Sequence, residues 1–328
     1  MSSMKKITIP ILIILICTLI GCASDRADNN DGQEPEMIGH TSDNDIDDPD
    51  ISPETEDTPE IIKEEPDDSG TFGEDKTLID PDGNTLQTRI LVPEGYERTT
   101  EEPASLGEFL RNYKVLPDKS PVLLFDGTVK SNDHAACVFD MYLSGNDLQQ
   151  CADSVMRVYA EYMRSCGKED RIAFHFVNGF LCDWNSYKSG KRILVSGNDV
   201  SWADGSVTSD SDDNFERYLE TVYMYASTLS LDKESRSVEL SDIQIGDIFI
   251  KGGSPGHVVM VVDVCEKDGK KAFLLAQGYM PAQQFHVLIN EYHGSDPWYY
   301  EDEIIYPFIT PEYVFNEQCL KRPIYLTE

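Results

Sequence analysis

Cysteine and histidine are the residues of this chain best placed to supply a nucleophile, a base or a metal ligand. There are eight cysteines and six histidines. No two of them stand at a metal-ligand spacing and there is no His-Glu-x-x-His motif, so no metal site is expected. A Gly-x-Ser-x-Gly elbow is absent. The loop Gly252-Gly253-Ser254-Pro255-Gly256 lacks the Lys-Ser/Thr ending that would hold a phosphate, so no cofactor is expected either. One stretch does carry chemistry. Gly246-Asp247 launches an apolar strand, the glycine-rich loop follows, and His257 opens a second apolar run. Such a loop clears side chains away from the imidazole while the strand fixes it, as a general base requires. A histidine used only as a turn residue would look the same.

The elements that must position this histidine are legible from periodicity. Asn146, with Gln149 three residues on, reads as a cap opening a helix to about Ser165. Its apolar stripe is Leu148, Cys151/Ala152, Val155, Val158/Tyr159 and Tyr162. Cys151 is the one cysteine in the first turns of a predicted helix, where the helix N-terminus would lower its pKa and offer N–H groups to an oxyanion. Its place on the stripe equally suits a core cysteine. A second long helix is predicted over 214–229. Residues 183–212 read as loops, and the chain from 247 to 290 reads as a run of strands. A two-residue turn at Asp268-Gly269 would put Gln277 on the opposite face from His257. One further residue would bring them together, so the register stays open. Long helices among short adjacent strands predict one α+β domain with an antiparallel sheet. The six cysteines from Cys137 onward allow up to three disulfides.

The Gly-Asp … Gly-His-Val segment is similar to that of papain-like NlpC-type peptidoglycan hydrolases and their amidase relatives. The resemblance implies a papain-like fold, with His257 as the base. It makes Cys151 the nucleophile and Gln277, ending the adjacent strand, the residue that orients the ring. Over a longer span the chain resembles a bacterial lipoprotein family called domain of unknown function 4846. Asp147–Arg157, Tyr225–Leu231, Gly252–His257 and Leu274–Gln283 carry that likeness. The family name implies one exported domain and no particular activity.

The N-terminus speaks to location. Lys5 and Lys6 precede an apolar run, Ile7–Ile20, that is short for a membrane span and suited to a signal peptide. Leu19-Ile20-Gly21-Cys22 resembles the lipobox of bacterial lipoproteins, which implies a signal peptide over 1–21 and lipid on Cys22. Residues 22–75 then read as an acidic disordered linker. Between 25 and 75 stand 20 acids, two bases and a single aromatic, Phe72, too little apolar surface to offset ordering. The folded domain is expected over 76–328. With 60 acidic against 27 basic residues and a net charge of −33, the chain lacks the basic footprint of nucleic-acid binding. The expected setting is the cell envelope, with the membrane reached through lipid and a cell-wall peptide or glycan as partner. Two functions follow: a cysteine hydrolase acting on an amide bond, or a non-catalytic binding module on the same fold.

Overall fold

The computed structural model describes residues 77–131, 134–205 and 207–326. The predicted signal peptide 1–21, the lipidation site Cys22 and the linker 22–75 lie outside them. Among the described residues no helix is long and apolar enough to cross a membrane.

The architecture is α+β, as the periodicity predicts. Its centre is an antiparallel sheet. In chain order the main strands are β1 (Ala135–Val138), β2 (Ser235–Ser237), β3 (Ile248–Lys251), β4 (His257–Lys267), β5 (Lys270–Gln277), β6 (His286–Leu288) and β7 (Leu320–Pro323). Across the sheet they run β1-β6-β5-β4-β3-β7-β2. Short segments Glu97–Arg98 and Tyr299–Tyr300 pair with β4 and β5. Nine consecutive residues of β4, His257 to Cys265, are buried. A strand covered on both faces needs no polar alternation, hence the apolar run Val258–Val262; the buried Asp263 after it is paired with Arg98 and Arg111.

Three helices matter for the site: α1 (Cys151–Ser165), α2 (Asp212–Tyr225) and α3 (Thr228–Lys233). The predicted stripe holds on α1, which buries Ala152, Val155, Met156, Val158 and Tyr159 while packing on β4. Two predicted boundaries are corrected. The helix expected from Asn146 begins at Cys151, because Asn146 does not cap it and the next residue, Asp147, is drawn into a tertiary bond. The Asp147 carboxylate accepts the Ala282 N–H at 2.6 Å, and Asp153 turns back to accept the Gln150 N–H at 3.1 Å. The helix expected over 214–229 divides after Tyr225. There Ala226 is extended and Ser227 accepts the Leu229 N–H at 3.1 Å, starting α3. A serine cap is worth about 1 kcal/mol, enough to favour a new start over continuation.

The expected loop at 183–212 also holds ordered structure. It contains the short helix Trp184–Lys188, capped by Asp183, and a hairpin pairing Lys191–Ser196 with Asp199–Asp204. That hairpin is largely exposed, so it carries no apolar alternation for sequence reasoning to find. All six cysteines from Cys137 onward are free thiols rather than disulfides.

The β4–β5 register settles the question left open by sequence. The turn is indeed the two-residue Asp268-Gly269, both residues with positive φ, as a primed hairpin turn requires. Farther along, Leu274 pairs with Asp263 but Leu275 pairs with Val261. Val262 is thus an extra residue in β4, a β-bulge, and it shifts the pairing by one. After the shift His257 and Gln277 share a face.

Candidate functional site

The geometry is built from three chain segments that meet at one end of the sheet. His257 begins β4 and is 2% exposed; Gln277 ends β5 and is fully buried. Their side chains meet, with His257 Nε2 2.7 Å from Gln277 Oε1. Cys151 is the first residue of α1 and is half-buried. The backbone N–H of Val258, next to the histidine, reaches the Cys151 sulfur, as do the N–H groups of Ala152 and Cys151 itself. The correction to the helix start therefore matters. At the fifth residue of a helix, the sulfur would lie away from the unpaired N–H groups of the first turn; at the first residue it lies among them.

Two tyrosines border both partners. The His257 ring centroid is 4.8 Å from that of Tyr279 and 5.0 Å from that of Tyr313. Both phenols are pushed up by burial, with Glu312 and then the Cys151 thiol adding to the effect at Tyr279, and Cys151 adding to it at Tyr313. A cavity of about 590 Å³ opens here, lined by Cys151, His257, Tyr279, Tyr313, Asp153 and Tyr223 among others.

Two glycines let the segments approach. A Cβ on Gly278 would lie 2.4 Å from Ser154 Oγ and 2.9 Å from the Gln150 carbonyl, so the end of β5 rests directly on the start of α1. A Cβ on Gly256 would meet the Gly253 carbonyl at 2.3 Å and Thr228 Oγ1 at 2.4 Å. The loop before His257 folds tightly against α3 for that reason.

The electrostatics differ from the sequence expectation. Burial pushes the Cys151 thiol up to about 11, and Asp153 adds to the rise. The N–H groups of Ala152, Val258 and Cys151 act the other way, as expected of a helix N-terminus, but desolvation outweighs them. Burial pushes the His257 imidazole down to about 4; Gln277 opposes this and Lys130 adds to it. At neutral pH the two therefore form a neutral thiol and imidazole. His286, opposite Gln277 on β6, is also buried. Its Nδ1–H donates to the Gln284 carbonyl at 2.9 Å, and burial pushes this imidazole down to about 3.

Behind Gln277 stand two residues that sequence reasoning missed. Gln277 Nε2 donates to Glu312 Oε2, which also accepts from Lys130 Nζ at 2.6 Å. Lys130 and Glu312 lie 182 residues apart in sequence, and neither belongs to a motif, so no local signal marks them. Two other histidines are held elsewhere: His175 pairs with Glu234 at 2.5 Å and His134 with Glu291 at 3.4 Å, both away from the cavity. Trp184 and Trp298 are core residues. Among the described residues no group of three or more His, Cys, Asp or Glu is placed to hold a metal ion.

The family model described as domain of unknown function (4846) matches residues 86–322. The chain belongs to that family. The matched span includes Cys151, His257, Gln277, Lys130 and Glu312, so the whole cluster falls inside the family's domain. No curated protein and no solved structure matches the chain.

Proposed function

We propose that this family member is a lipid-anchored envelope protein whose domain is a papain-like cysteine hydrolase acting on an amide bond. The observation that carries the reading is the assembly of His257, its 2.7 Å bond to Gln277 and the α1-opening Cys151 around one cavity. In the proposed reaction the thiol proton passes to the His257 nitrogen opposite Gln277 as sulfur attacks the amide carbon. The N–H groups at the start of α1 face the oxyanion that forms. The imidazolium then protonates the leaving amine, and water, giving its proton to the same nitrogen, hydrolyses the thioester. The lipobox-like Cys22 would hold the protein at a membrane, with the acidic linker letting the domain reach cell-wall peptide. That choice of substrate rests on the resemblance alone.

A second reading is favoured by the neutral thiol and imidazole. It is a binding module for wall peptide or glycan that keeps the fold without a competent nucleophile. Labelling with a dipeptidyl acyloxymethyl ketone separates the two. The hydrolase forms one adduct, at Cys151, and His257→Ala slows it by about a hundredfold or more. Labelling spread over several cysteines, or indifferent to His257, supports the binding module.

A further inference from the structure

We propose that Glu312, held by Lys130, determines which nitrogen of His257 carries the proton, and that it does so by fixing the orientation of the Gln277 amide. The argument is one of donors and acceptors. An ionised carboxylate has no proton to give. Glu312 Oε2 already accepts from Lys130 Nζ at 2.6 Å, within an ion pair whose side chains are 9% and 13% exposed. The Gln277 group facing Glu312 must therefore be the NH₂, which puts the amide oxygen against the histidine. An amide oxygen can only accept, so His257 Nε2, 2.7 Å away, must donate. A neutral imidazole has a single N–H. Nδ1 is left with the lone pair.

A flipped Gln277 would reverse every sign in this relay. Its oxygen would face the carboxylate, its NH₂ would face the imidazole, and Nδ1 would carry the proton. Nothing on the histidine's own strand prevents that flip; Glu312 and Lys130 do. The Glu312 backbone is tied into the same wall, since its carbonyl accepts from Tyr279 OH at 3.3 Å, and Tyr279 packs on the His257 ring. Glu312 and Lys130 are positioning residues, acting through Gln277. Their consequence for catalysis rests on the hydrolase reading, whereas the tautomer itself does not.

The test is long-range ¹H–¹⁵N NMR of the histidine rings in the full chain at neutral pH, with His257 assigned by its loss in His257→Gln. The expected wild-type spectrum shows protonated Nε2 and bare Nδ1. In the double variant Lys130→Glu/Glu312→Lys the donor now faces Gln277, so the amide turns and the proton moves to Nδ1. Adduct formation at Cys151 with the ketone then falls by about a hundredfold, the loss expected when a general base is removed. A wild-type protein with the proton on Nδ1 overturns the proposal, even where the double variant fails to fold. So does a folded double variant that keeps it on Nε2. If the tautomer moves as described while Cys151 is inert in wild type, the proposal stands and the hydrolase reading fails.

Discussion

Replacing His257 by Gln should change how stability depends on pH, and the sign of that change separates two kinds of site. In the structure the imidazole is buried, and its pKa falls from 6.5 to about 4. A histidine with a depressed folded pKa is protonated more readily in the unfolded chain, so wild type is penalised as pH falls below 6.5. From these two values the penalty is about 0.2 kcal/mol at pH 7, about 1.4 at pH 5.5 and about 2.6 at pH 4.5. The variant lacks this titration. Every other group is common to both chains, so the wild-type-minus-variant difference isolates His257. Urea denaturation of both proteins at several pH values between 7.5 and 4.5 measures it, whatever fixed amount the substitution itself removes. Wild type should lose ground steadily on acidification. A histidine held charged beside a carboxylate would have the reverse slope, because its raised pKa strengthens wild type as pH falls toward 6.5. Parallel curves, or that reversed slope, would refute the buried neutral imidazole.

Other expectations follow from the same geometry. Iodoacetamide should modify Cys151 with a midpoint near pH 11, and at neutral pH about a hundredfold more slowly than a thiol of pKa 9.0. A rate plateau below pH 7 would contradict this. Gly278→Ala should lower stability by roughly 1–3 kcal/mol, as overpacking does, because the new Cβ meets the Gln150 carbonyl and Ser154 Oγ. A thermal melt unchanged from wild type would show that the end of β5 is not held against α1. Cys22→Ser should release the protein from the membrane fraction, and retention in that variant would sink the proposed anchor. A chain starting near Lys76 should melt with the full mature protein; a drop of many degrees would mean that the acidic stretch packs on the domain.

How far the site can be read from sequence depends on which physical signal each residue leaves. His257 is legible because a glycine-rich loop before an apolar strand is a local pattern, and Gln277 because it ends the next strand. Their meeting is not legible. It depends on the bulge at Val262, inside Val258–Val264, where both faces are buried and polarity cannot mark which way a side chain points. Sequence leaves the face open between a two-residue turn and a longer one; the structure has the two-residue turn and brings the faces together farther along the strand. Cys151 shows the converse. Asn146 has the chemistry of a cap, but the tertiary bond from Ala282 to Asp147 claims the segment before the helix and moves its start by four residues. That displacement carries the sulfur from a position resembling the core to one among unpaired N–H groups. Glu312 and Lys130 lie beyond any window, joined only when the turn at 312 folds over the end of β5. The residues that would do chemistry are thus readable one by one, whereas the relations that would let them act together reside in a bulge, a helix start and a long-range ion pair. Substitutions at those three places should disturb the site as much as changes to Cys151 or His257.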